Sequence, residues 1–193
     1  SNVGVGTTDS NNYAVDTVRP TVVVSLSDTS LVAGETSLVI MAFSEAVTGF
    51  DNADLTIANG TLSAVSTADG GVTWTATLTP TAELIDATNV ISLNVTGVSD
   101  AAGNAGVGTS NSSNYTINTV RPTAGIVVTD TSLIVGETSL VTITFSEAVT
   151  GFSNADLTIA SGTLSAVATT DGGITWTATF TPTAELIDAT NVI

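Results

Sequence analysis

The 193-residue chain carries eighteen acidic residues against two arginines, with no lysine or histidine, for a formal net charge of −16. Neutralising phosphate needs a basic face, so nucleic acid is excluded as a partner and docking on anionic lipid is disfavoured. Cysteine and histidine are both absent, which removes disulfide staples, thiol catalysis, the commonest general base and the commonest zinc ligand.

Self-repulsion at this charge destabilises a compact fold unless cations bind, so metal ions compete with a plain solubilising surface as its meaning. No apolar run approaches the ~20 residues of a membrane span, and no signal peptide is present. No membrane insertion of this segment is therefore expected.

The chain is organised by a repeat. The run Asp-Thr-Val-Arg-Pro-Thr at 16–21 returns as Asn-Thr-Val-Arg-Pro-Thr at 118–123, an offset of 102 residues (118 less 16). The runs at 43–50, 69–77 and 79–91 return at the same offset. A period of this length suits a complete small domain in tandem rather than a solenoid unit. Proline at 20 and 122 fixes φ and holds the preceding Arg19 or Arg121 extended, giving a short, fairly stiff junction.

Residues 1–15 align with 103–117, so 1–16 is expected to be the C-terminal strand of a preceding repeat, in a fragment of a longer array. Residues 17–117 form the first domain. Its strands begin with the Val-rich run 20–26, which ends at a Ser-Asp-Thr-Ser turn, and continue with 38–43 after the turn Gly34-Glu35-Thr36. The run 55–58 alternates up to Asn59-Gly60, a hairpin dipeptide, and 62–65 follows it. After the tight turn Asp69-Gly70-Gly71, Val72, Trp74, Ala76 and Leu78 fall on one face of a strand, with Thr73, Thr75, Thr77 and Thr79 on the other. The run 82–86 alone suits a helical turn. Strands follow at 90–95 and 114–117, separated by a Gly-rich loop. Some seven short strands with turns every ~8–12 residues predict an all-β sandwich. Residues 118–193 form a second domain that lacks the counterparts of the last strands, and residues 1–17 of another copy are expected to complete it by strand exchange, since open apolar edges pair readily.

The runs Phe-Ser-Glu-Ala-Val-Thr-Gly-Phe at 43–50, Asn-Ala-Asp-Leu-Thr-Ile at 52–57, Gly-Val-Thr-Trp at 71–74 and Asp-Ala-Ala-Gly-Asn at 100–104 together resemble bacterial Ig-like domains. The Asp-Thr-Val-Arg-Pro junction is similar to the linker between such domains, although the position of Arg19 is usually small there. The resemblance covers the whole chain. It implies tandem immunoglobulin-like β-sandwich domains from giant secreted adhesins and biofilm-associated proteins. It further implies location on the bacterial cell surface, neighbouring repeats as partners, an extender role and often calcium at the junctions.

The acids make their own case for calcium. Strand ends of such a sandwich alternate between two poles, and the pole nearest the linker gathers Asp16, Glu45, Asp54, Asp100 and Asn104. Calcium takes six to eight oxygens in irregular geometry, and clustered carboxylates without nearby cations repel one another unless an ion sits among them. The opposite pole of a preceding domain offers Asp86, Glu83, or Asp28 and Glu35. The inner junction carries Asn118 in place of Asp16, with Glu147 and Asp156 as counterparts, and should bind more weakly because an amide brings no charge. Pairing of Arg19 or Arg121 with one acid is the competing account.

Other features have plainer readings. Trp74 and Trp176 could form a sugar platform but lie on the apolar face of their strand, which marks them as core. The Thr ladder resembles an ice-binding array, yet threonine simply favours a solvated strand face. Asp51 and Asp54 could serve glycoside chemistry, but they lie in a loop without an aromatic cleft, and Asp51 becomes Ser153 in the second repeat. No catalysis is expected. Each domain of the extender would add roughly 35–45 Å, projecting a distal adhesive domain. A module that itself contacts glycan, ice or a partner cell surface is the alternative.

Overall fold

A computed structural model describes Gly4 and residues 6–193. The chain divides into a first unit ending at Val120 and a second spanning Arg121–Ile193. The first unit holds β1 (Val22–Leu26), β2 (Ser30–Val32), β3 (Ser37–Phe43), β4 (Val47–Thr48), β5 (Leu55–Ile57), β6 (Gly60–Leu62) and β7 (Ser66–Thr67). It continues with β8 (Thr73–Pro80), β9 (Ile85–Asn89), β10 (Ile91–Asn94), β11 (Ser99–Asp100), β12 (Thr109–Asn111) and β13 (Tyr115–Asn118). The second holds β14 (Ala124–Val128), β15 (Ser139–Phe145), β16 (Gly162–Leu164), β17 (Ala168–Thr169) and β18 (Thr175–Pro182).

Period-2 alternation builds the core of the first unit. In β3, Ser37, Val39, Met41 and Phe43 are buried, and β3 pairs antiparallel with β8, whose Ala76 and Leu78 also face inward. One sheet runs β1-β3-β8-β6, with β7 also on β8. Opposite it lie the shorter ladders β12-β10-β5 and β2-β13-β9. Val24, Met41 and Leu78 from the first sheet and Leu55, Leu93, Tyr115 and Ile117 from the others pack into one cluster, which makes the unit a β-sandwich. Trp74 is half-buried against this cluster, edge-on to Phe50 at 5.3 Å between centroids, and its indole N–H donates to the Gly71 carbonyl. It serves the core rather than a sugar platform.

Two expectations are corrected. Asn59-Gly60 does turn, with Asn59 at φ 57°, but it closes no hairpin. Instead β5 pairs β10 while β6 pairs β8, so the turn carries the chain from one sheet to the other. The run 82–86 is not helical: Ile85–Asn89 is β9, antiparallel to β13, because a five-residue helical turn cannot match a ladder. Residues 7–21, part of the stretch read as the C-terminal strand of a preceding repeat, form no strand of their own. Their counterparts, β12 and β13, exist by pairing with β10, β2 and β9, and 7–21 has no such partner among the described residues. Ser1, Asn2, Val3 and Val5 of that expected strand lie outside the described residues.

The second unit repeats the first sheet as β14-β15-β18-β16, with β17 on β18. The counterparts of β2, β4, β5 and β9 are not strands here. In the first unit those four pair with β13, β11, β10 and β13, and residues 121–193 hold no strand that matches any of these three partners.

Each unit also carries an acid-locked turn. The Asp69 carboxylate accepts from the amides of Val72 and Thr73 and from the Thr67 hydroxyl. The Thr73 amide is the largest influence holding its pKa down to about 2, and Asp171 is held at about 2 chiefly by Thr175. A depressed folded-state pKa means a contribution present above the unfolded value of 3.8 and lost as pH falls through about 2. Denaturant midpoints measured from about pH 5 down to pH 2 should therefore fall, and should fall less steeply in the double variant Asp69→Ala, Asp171→Ala. Identical slopes would show that the turns do not hold their charge through folding.

Candidate metal centre

The linker is pinned to the first unit by short polar contacts. The Thr21 amide donates to the Ser44 hydroxyl and the Ser44 amide to the Thr21 carbonyl, joining the linker to the end of β3. Arg19 Nη1 donates to the Ala105 carbonyl at 2.9 Å. That interaction goes to the backbone rather than to an acid. Asp16 is thereby held beside the loop after β3, which carries Glu45, and the end of β11, which carries Asp100.

Asp100 is 4% exposed. It sits where β11 pairs with β4, at the mouth of a loop that folds back on it. Its Oδ1 accepts from the Asn104 amide at 2.8 Å and its Oδ2 from Asn104 Nδ2 at 2.8 Å. Gly103 takes φ 91°, a left-handed conformation that glycine supplies at little cost. The same Asn104 Nδ2 lies 3.3 Å from the Asp16 carbonyl. The Asn104 side chain, more than any other group, holds the Asp100 carboxyl below its ordinary pKa.

Carboxylate oxygens of Asp16, Glu45 and Asp100 all lie within 4.8 Å of one another. Glu45 responds to that crowding. Desolvation first, then the charges of Asp100 and Asp16, push its pKa above the usual value. Calcium–oxygen distances are about 2.3–2.6 Å, so two ligands of one ion stand up to roughly 5 Å apart. The three carboxylates fit that spacing, and an all-oxygen set of three acids suits hard cations such as magnesium, calcium or manganese. The cluster could hold a metal ion.

Of the other expected ligands, Asn104 joins the cluster as a hydrogen-bond donor to the Asp100 carboxylate and the Asp16 carbonyl. Asp54 does not join it: its Oδ2 accepts from the Asp51 amide, closing a capping box around the 3-10 turn Asn52–Asp54. Asp156 is spent in the same way on Ser153. Asp86 accepts from Asn59 Nδ2 at 2.7 Å and from the Thr88 amide, in a network with the buried Asn89. Asn118 ends β13 opposite Ile85, and Glu147 is a half-buried residue of the second unit. The Thr21–Ser44 bracket escaped the sequence reading, although its return as Thr123–Ser146 was the signal that could have found it.

No curated protein matches the chain. Among solved structures, FdeC, described as a broadly conserved Escherichia coli adhesin, is 15% identical, with a TM-score of 0.42. The match covers 88% of this chain and 57% of that one; a likeness this distant carries no functional argument. The model of the family described as bacterial Ig-like domain matches residues 16–117 and again 118–193. With two consecutive matches that leave only residues 1–15 outside, the chain belongs to the bacterial Ig-like domain family.

Proposed function

We propose that these domains are extender repeats of a bacterial surface adhesin, and that calcium held by Asp16, Glu45 and Asp100 stiffens the junction at which the first domain begins. Asp16 carries this reading. It belongs to the linker, whereas Glu45 follows β3 and Asp100 ends β11 of the sandwich, so an ion shared by the three would tie linker to domain. Bound there, calcium supplies positive charge and fixed coordination. Asp100 is preorganised by Asn104, Glu45 loses its like-charge crowding, and Asp16 stops the linker from swinging.

Near-identity of the two repeats supports a spacer, since nothing in one copy marks it as a special site. The excess of acid supports an extracellular, calcium-rich setting, where weak carboxylate sites still fill. Small-angle scattering of a protein carrying two complete repeats tests the role. With calcium, the profile should be that of a stiff rod. With excess chelator, the maximum dimension should shrink and the profile become that of a flexible chain. A profile indifferent to calcium would leave the acids as a solvated surface and remove the mechanism.

A further inference from the structure

The turn between β5 and β6 is where the ladders of the first unit meet. Two contacts reach its backbone: the Tyr115 hydroxyl donates to the Ala58 carbonyl, and the Thr81 amide to the Asn59 carbonyl. The Asn59 side chain supplies the rest. Its Nδ2 donates to Asp86 Oδ2 at 2.7 Å and to Asn89 Oδ1 at 2.9 Å, both on β9. This orientation is forced, because a carboxylate only accepts and Asn89 spends its own Nδ2 on the Asp86 and Tyr115 carbonyls. Asn89 is buried, so the network reaches inside the sandwich.

The fold also dictates the residue that follows. A Cβ at position 60 would stand 2.9 Å from the Thr79 carbonyl oxygen and 3.0 Å from Leu78 Cδ1, so only glycine fits against β8. Asn59 sits at φ 57°, a left-handed conformation that asparagine adopts more readily than most residues. Asparagine before glycine is chemically labile, since no side chain shields the glycine nitrogen from the neighbouring side-chain amide. No other asparagine in the chain precedes glycine. Alternation along the ladder leaves that nitrogen free. Thr81 bonds to Asn59 and Ser63 to Thr77, so the Gly60 amide between them points away from β8.

We propose that Asn59 is a deamidation site latched by Asp86 and Asn89, and that its conversion to an acid unlocks the turn from β9. The Gly60 nitrogen, after losing its proton to hydroxide, attacks Asn59 Cγ. The Cγ–Nδ2 bond breaks and ammonia leaves, taking a proton from water. Water then opens the cyclic imide at either carbonyl, leaving aspartate or isoaspartate. The reaction needs Nδ2 released from both acceptors, so the latch sets its pace. The product cannot close again, because an ionised carboxylate has no donor for Asp86 or Asn89 and faces the Asp86 charge. The second unit lacks the site. Ser161 stands there at φ 60°, its Oγ donates to Asp188 Oδ2 at 3.2 Å, and glycine still follows at 162. One repeat ages at this turn and its neighbour does not.

Peptide mapping of the folded chain, aged in mildly alkaline buffer, should show acid accumulating at Asn59 ahead of every other asparagine. The same chain in urea, and Asp86→Ala in buffer, should convert several-fold faster, because the latch is gone. Asn59→Asp copies the product and should speed hydrogen exchange at the amides of Thr81 and of 85–89 by roughly ten-fold or more. Asn59→Ser keeps a donor, as the second unit does, and should exchange like the wild type while gaining no acid at that position. Acid appearing no faster at Asn59 than at other asparagines would overturn the proposal. So would equal rates with and without the latch, or wild-type exchange in Asn59→Asp.

Discussion

Glu45→Gln should move thermal stability in opposite directions with and without calcium. In chelator the variant should melt above the wild type. The folded state crowds Glu45 against Asp100 and Asp16 and raises its pKa, so above that pKa the ionised group disfavours folding, and a neutral amide relieves it. With calcium the order should reverse. A ligand at a hundred times its Kd that binds only the folded state adds about 2.7 kcal/mol. For a domain near 100 residues this is a rise of roughly 10–20 °C in Tm. Loss of one of three carboxylates should remove most of that rise. Calorimetric melts of both proteins in chelator and in calcium check it; a variant that is less stable in both conditions would show that Glu45 is held by protein contacts rather than by an ion.

Leu78→Ala should be the most damaging single change to the first unit. Leu78 has no solvent exposure and sits where β8 meets both β3 and β6. Removing a buried leucine side chain costs about 2–5 kcal/mol, in transfer energy and in the cavity left behind. Leu38→Ala is the matched control, one strand away but pointing outward and 43% exposed; such a surface change stays within about 0.5 kcal/mol. Urea unfolding of the two variants decides between them. Comparable losses would mean that the alternation along β3 and β8 does not define the core.

How much of this was legible follows from what each signal reports. The alternation at 72–79 reports which way side chains face, and Ala76 and Leu78 do face inward. A turn dipeptide reports a reversal but says nothing about partners, which is why Asn59-Gly60 was identified as a turn and misplaced as a hairpin. β9 was unreadable locally because it exists through β13, about thirty residues further on. The acids divided on similar grounds. Asp16, Glu45 and Asp100 come together because the linker, the loop after β3 and the end of β11 share one pole, a property of topology that strand order already implied. Asp54 and Asp156 stand three residues after Asp51 and Ser153, the spacing of a capping box; that local pattern outranked the longer-range one. Asp86 likewise went to Asn59 and Thr88, both within reach of its own strand.

Isothermal titration of calcium into the full chain and into Asp100→Asn tests the central claim most directly. Asp100 is the buried, preorganised member of the cluster, and its amide variant keeps the shape of the side chain. The account predicts one saturable site per chain in the wild type and its loss in the variant. Weak binding spread over many sites, unchanged by the substitution, would contradict it.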